Sequence, residues 1–427
     1  MGWDQTKWAE SNFPIAADLD NDPILKGRLI YLIRVDGHAS WTSPAVLDLI
    51  ENLPETVEGG SIIRGDDGKP TGVFVDNAMK LVPLPPWSDE EVQGFFDRTM
   101  KEALSYGLTS IHDADVELDH VNFFKKAAEH GTLPLRLYVM GRGPGEYWGD
   151  RLSPLKNYGK DKRLNFRSVK FMADGALGSW GAALLEPYSD KPDENGQLLA
   201  SPETFKDVIN KYWRDGWQTN IHCIGDRAND VILDIFEDIL ERQGGNVTEW
   251  RPRIEHAQIF TLADLERIGR FGVIASVQPT HATSDMGYAE SRLGPERIKG
   301  AYAYQTLLRV SPQGVLPLGS DFPIEGVNPL LGFYAAVTRL SVSGTSPHGP
   351  GGWFPEEKLT REQALKGMTL DAAYSSFAEN DIGSLIPGKK ADFVVFDRDI
   401  MTVPESEILQ AKVVATVIDG KVAYGTL

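Results

Sequence analysis

Val169-Lys170-Phe171-Met172-Ala173-Asp174-Gly175, Asn220-Ile221-His222-Cys223-Ile224-Gly225-Asp226 and Arg253-Ile254-Glu255-His256-Ala257-Gln258 decide the fold, with Gly319-Ser320-Asp321-Phe322-Pro323 following them. Each is a short, largely apolar run that closes on a side chain able to hold a metal or a proton. In a barrel of parallel strands, such strand ends open on one mouth. A lysine, two histidines and an aspartate on different strands are parts from which a metal hydrolase site is built. A His-x-His pair, which would complete such a site, occurs nowhere in the 427 residues.

Outward from these runs, strand-like and helical segments alternate from about residue 88 to residue 340. Leu108–His112, Leu135–Met140, Ser168–Met172, Thr219–Cys223, Arg253–His256, Val273–Val277 and Val315–Leu318 read as strands. Pro202–Arg214, Ala228–Arg242 and Thr261–Arg270 read as helices, and Ser88 before three acidic residues predicts a helix N-cap. Repeated strand–helix units predict an α/β fold of the (β/α)8 TIM type. Seven strands are present where a closed barrel needs eight, and the deficit lies on the N-terminal side.

The flanks differ from this central part. Residues 1–87 are rich in Asp, Gly and Pro, with strand-like Leu29–Ile33 and Gly72–Val75. Residues 376–427 read as a small β-sandwich part, with strands at Ile382–Leu385, Ala391–Phe396, Lys412–Ile418 and Val422–Tyr424. The expected division is therefore 1–87, a barrel over 88–375, and 376–427.

Composition narrows the class. A net charge of −18 argues against nucleic acid or an anionic membrane as a partner. No apolar run approaches the ~20 residues of a membrane span, and no secretory h-region is read at the start. The single cysteine, Cys223, permits no intrachain disulfide, which fits a reducing, cytoplasmic setting.

Neutral imidazole is a common ligand for zinc and several other divalent ions. Taken singly, His222 or His256 reads better as a hydrogen-bonded core residue. Two of them at equivalent strand ends, about one barrel unit apart, favour the metal reading. Asp321 could ligate a metal and accept a proton from water on it, or it could cap the segment that follows. Lys170 reads locally as an ion-pair partner; beside a metal it would have to lose its charge, for instance as a carbamate. His112-Asp113-Ala114-Asp115 reads as a strand end followed by a helix-starting aspartate, and Cys223 alternates away from His222 into the core.

Arg34-Val35-Asp36-Gly37-His38-Ala39, Pro70-Thr71-Gly72-Val73-Phe74, Phe171–Ser179, Gln278-Pro279-Thr280-His281-Ala282 and Leu385–Asp392, with the His222, His256 and Asp321 motifs, resemble the amidohydrolase superfamily in its amidohydrolase-3 (YtcJ-like) branch. The resemblance runs from residue 2 to the C-terminus. It implies a distorted (β/α)8 barrel, a β-sandwich built from both chain ends, and hydrolysis of C–N bonds other than peptide bonds by metal-activated water. Lys170 then corresponds to a carboxylated bridging lysine, His222 and His256 to histidine ligands, and Asp321 to a metal-bound general acid/base. Asp36, His38, Asp174 and Gln278 become substrate-side candidates. The implied cofactor is a divalent metal, zinc first, as one or two ions.

The family's His-x-His strand lies upstream of Gly2-Trp3-Asp4-Gln5. The resemblance therefore implies that this strand is missing, that Met1 is either an internal methionine or a gene-model error in place of the true start, and that the site using the pair is compromised. The expected partner is a small-molecule amide-type substrate, with a homodimer as the expected assembly at most. The competing reading is an impaired or inactive truncated homologue acting as a binding module. A barrel isomerase or lyase would use the same mouth for different chemistry.

Overall fold

The computed structural model describes residues 2–143, 147–243 and 247–427, so Met1 lies outside the described residues. The first sheet comprises β1 (Tyr31–Ile33), β2 (Ala39–Thr42), β3 (Gly60–Arg64) and β4 (Pro70–Asp76), antiparallel in the order β1-β2-β4-β3. Residues 2–5 dock against it: Gly2 N–H donates to Ile33 O, and Val35 N–H donates to Trp3 O. Gln5 is fully buried and holds the Arg34 guanidinium through Oε1 at 2.6 Å.

The second sheet contains β5 (Ser110–Val116), β6 (Arg136–Arg142), β7 (Leu155–Tyr158), β8 (Leu164–Met172), β9 (Gln218–Cys223), β10 (Arg253–His256) and β11 (Ile274–Ser276). Its parallel path runs β11-β10-β9-β8-β6-β5, and β7 pairs antiparallel with the start of β8. Helices connect the strands as the βαβ rule requires. The third sheet, antiparallel, joins β12 (Phe393–Phe396), β13 (Val413–Ile418) and β14 (Lys421–Gly425).

Local chemistry accounts for the helices. Helix α1 (Asp89–Ser105) starts at a reciprocal Ser88–Glu91 capping box, with three acids in its first turn. Helix α2 (Leu118–His130) ends on Gly131, which takes φ +73°. Helix α3 (Pro202–Arg214) begins with Ser201 accepting from Thr204 N–H and with Pro202 at N1. It buries Phe205, Ile209, Tyr212 and Trp213, the i, i+4, i+7, i+8 stripe of a helix laid on a sheet. Helices α4 (Asp226–Gln243) and α5 (Leu262–Phe271) follow β9 and β10, and α6 (Pro279–Asp285) follows β11.

The parallel α/β TIM-like domain is thus present, with three corrections. Val315–Leu318 does not form a strand; it touches the sheet through one bridge, Val277 to Leu318. Pro317 lacks an N–H for a ladder there, and Leu318 N–H goes instead to Gly367 O. Ile382–Leu385 is a turn with Gly383 at φ +86°, so the C-terminal sheet has three strands. The His112–Asp115 segment continues as strand through Val116, and helix α2 starts only at Leu118.

Candidate metal centre

Four imidazoles form a row at the C-terminal ends of the parallel strands. The ring centroids of His38 and His222 are 5.1 Å apart, those of His222 and His256 4.4 Å, and those of His256 and His281 5.5 Å. His222 comes from β9 and His256 from β10. His281 comes from α6, and His38 immediately precedes β2 of the first sheet.

Register makes the His222–His256 contact non-trivial. His222 pairs with Glu255, and His256 pairs with Cys223, so a regular strand would put the two rings on opposite faces. His256 takes φ +73° and Ala257 φ +45°. This left-handed pair breaks the alternation and turns the His256 ring back toward His222. Cys223 stays on the far side, free and fully buried.

His256, His281 and Asp321 each offer one ligand atom within 4.8 Å of the others. Asp321 lies in a turn at φ +55°, with Oδ2 3.8 Å from His281 Nε2. The cap-like bond there belongs to its neighbour: Ser320 Oγ accepts from Phe322 N–H at 3.2 Å. Among the described residues, His222 Nδ1, His256 Nδ1 and His281 Nε2 are buried without a hydrogen-bond partner. Orphaned imidazole nitrogens are costly unless something else satisfies them, and beside a carboxylate they suit a divalent cation. Burial, then the charges of neighbouring histidines and Lys170, holds His222 well below the ordinary imidazole range. Burial, then Lys170, does the same to His256. Both rings are therefore neutral near pH 7, the state a metal requires.

Lys170 pairs in register with Asn220, two residues before His222, and so shares its face of the sheet. It is 6% exposed, and among the described residues its amine has no hydrogen-bond or ion-pair partner.

The substrate-side candidates separate. Asp174 is fully buried behind His222, 3.5 Å from its Nε2, and accepts backbone N–H bonds from Ala183, Ile224 and Gly225. Burial nevertheless pushes its carboxyl up to about 7, against those three bonds. Asp36 pairs with the buried Arg34 guanidinium and accepts His38 N–H at 3.2 Å. His38 bonds Asp76 through Nδ1 at 2.7 Å. Gln278 precedes α6 as its N-cap and sends Nε2 to Ser276 O at 3.4 Å.

Two residues escape a reading based on the ends of parallel strands. His281 sits inside α6, and only its place in the Gln278–Ala282 motif marked it. Asp76 ends β4, in a different sheet.

The family model described as "Amidohydrolase family" matches residues 1–424. The putative amidohydrolase YtcJ of Bacillus subtilis is 30% identical over 99% of this chain and 79% of its own length. The N-substituted formamide deformylase of Arthrobacter pascens is 24% identical over 94% of this chain and 74% of its own. The crystal structure of an uncharacterized metal-dependent hydrolase from Pyrococcus horikoshii superposes with a TM-score of 0.74 at 28% identity, covering 95% of this chain and 77% of that one. Sequence and architecture agree over nearly the whole length: the chain belongs to the amidohydrolase family.

Proposed function

We propose that this hydrolase cleaves C–N bonds of small amides, other than peptide bonds, at a divalent metal centre, with zinc as the metal. The observation that carries the reading is the convergence of His256, His281 and Asp321 within 4.8 Å beside His222. His222, His256, His281 and Asp321 would hold the ion. Lys170, once its amine had reacted with carbon dioxide to give a carbamate and a proton, would offer the ion a carboxylate oxygen in place of its unpaired amine. When bound, the ion supplies Lewis acidity to the scissile carbonyl and to water.

The chain's own residues supply the remaining chemistry. Asp321, the most solvent-accessible of the three clustered ligands at 36% side-chain exposure, can accept a proton from water and return it to the leaving nitrogen. Asp174 anchors the Ile224-Gly225 turn after His222 by accepting both backbone N–H groups, which fixes the ring. The relative whose name states an activity acts on N-substituted formamides, so N-formyl and N-acyl amines are the first substrates to try. No described helix is long and apolar enough to cross a membrane; a cytoplasmic small-molecule enzyme is the setting we propose.

The test is metal content by mass spectrometry on the purified chain, followed by amine release from a panel of N-formyl and N-acyl amines. About one or more zinc ions per chain, with amine release abolished by a chelator and restored by zinc, supports the reading. Tight metal without amine release from any amide would shift it to a binding module. A folded chain that takes up no metal would overturn it.

A further inference from the structure

We infer that His38 is an additional metal ligand, delivered to the centre by the first sheet and oriented by Asp76. This rests on the metal reading above and extends it to a part of the molecule outside the parallel strands.

The two residues face each other across adjacent strands. Asp76 N–H donates to His38 O at 3.0 Å, one step beyond the Ala39–Val75 pair of the β2–β4 ladder. Their side chains then meet, with Nδ1 of His38 2.7 Å from Oδ1 of Asp76. An imidazole that gives its Nδ1–H to a carboxylate presents a bare Nε2, and a carboxylate behind a histidine is the usual support of a metal-bound imidazole. Nε2 of His38 has no partner among the described residues and is not sealed from solvent. Two imidazoles on one tetrahedral ion, at about 2.0–2.1 Å each, have centroids roughly 5 Å apart. The His38–His222 separation is 5.1 Å.

The backbone around Asp76 is built for this placement. Asp76 takes φ +52° and ψ −124°, a region that L-residues occupy only when the surroundings impose it. Its side chain is fully buried, and Oδ2 has no hydrogen-bond partner. The loop after β8 makes room for it with two glycines. A Cβ at Gly175 would lie 2.5 Å from Oδ2, and one at Gly181 would lie 2.8 Å from it. A strained, tightly housed carboxylate whose one side-chain bond goes to His38 fits a positioning role. No residue of the parallel strands supplies His38, so two sheets would share the centre.

The test is zinc affinity, by competition with a chromogenic chelator, and the visible spectrum of the cobalt-loaded chain. Wild type is compared with His38→Ala, His38→Asn, Asp76→Asn and the control Lys69→Ala, an exposed position in the same first-sheet region. We expect both His38 variants to lose at least 10-fold to 100-fold in zinc affinity and to shift the cobalt bands. Asp76→Asn should lose about 10-fold to 100-fold, with the metal-free melting temperature little changed, and Lys69→Ala should match wild type. Folded His38 variants with wild-type affinity and an unchanged cobalt spectrum would overturn the inference while leaving the metal reading intact. If His38→Ala fails to fold, His38→Asn decides; if neither folds, Asp76→Asn with wild-type affinity and bands would overturn it. A wild-type chain that binds neither ion would overturn both.

Discussion

The rings of His222 and His256 lie 4.4 Å apart, although the register of β9 and β10 pairs neither with the other. The contact exists because His256 leaves the extended region at φ +73°. Backbone strain at the mouth recurs at Asp321 and Asp76, both with positive φ. Strain of this kind, of order 1–3 kcal/mol per residue, persists where the surroundings over-determine it.

His281 is the proposed ligand that strand-end logic passes over, so its removal is the sharpest check on the cluster. His281→Ala should weaken zinc binding at least 10-fold, and the rise in melting temperature that zinc gives the wild type should shrink with it. Thermal melts with and without zinc, with a chelator reference, measure this. Equal zinc-dependent shifts in variant and wild type would remove His281 from the centre.

Acid sensitivity should trace in part to His112. Burial, then the charge of Arg253, pushes its imidazole down to about 3. Because the folded value is depressed, the stabilisation it represents is complete above pH 6.5 and is lost as pH falls toward 3. Urea midpoints for wild type should therefore drop between pH 7 and pH 4 more steeply than those of His112→Gln. Parallel pH profiles would mean that His112 titrates normally.

Gly225 closes the turn that Asp174 holds. A Cβ there would lie 1.9 Å from the Ala183 carbonyl oxygen, a backbone atom that cannot rotate away. Gly225→Ala should cost about 1–3 kcal/mol in unfolding free energy and also weaken metal binding by displacing His222. Denaturant midpoints with zinc titration report both; wild-type stability would contradict the close approach.

The C-terminal sheet is tied to the parallel sheet by charge. Arg136 at the start of β6 bonds Asp392 with Nε at 2.7 Å and Nη2 at 3.1 Å, and also reaches Asp419, which Arg163 holds from the other side at 2.9 Å. Arg136→Met leaves two carboxylates short of a partner and should cost about 3 kcal/mol. Adding Asp392→Leu should recover part of that loss. A double-mutant cycle by urea unfolding gives the coupling, and additive losses would show that the network is not cooperative.

Much of this was legible in the chain before any coordinates. Helix α3 could be read because Ser201, Pro202 and a four-residue apolar stripe agree on its start and its face. His222 and His256 could be read because their runs end side by side on one edge of a parallel sheet, whereas Asp321 follows a segment that lies outside that sheet. Val315–Leu318 misled because apolar residues flank a proline that cannot join a ladder. His281 and the Asp76–His38 pair were hidden for another reason: their proximity to the centre is tertiary, set by how α6 and the first sheet fold over the mouth, and no local period encodes it.

Cys223 is the only thiol in the chain, fully buried, with burial pushing its pKa well above the ordinary thiol value. It stands beside His222 on β9 and pairs in register with His256. A thiol reagent can reach it only when the strands that carry the histidines come apart. The labelling rate under native conditions is thus a built-in clock for the opening of the two histidine-bearing strands, and its slowing on addition of zinc would time how firmly an ion clasps them together.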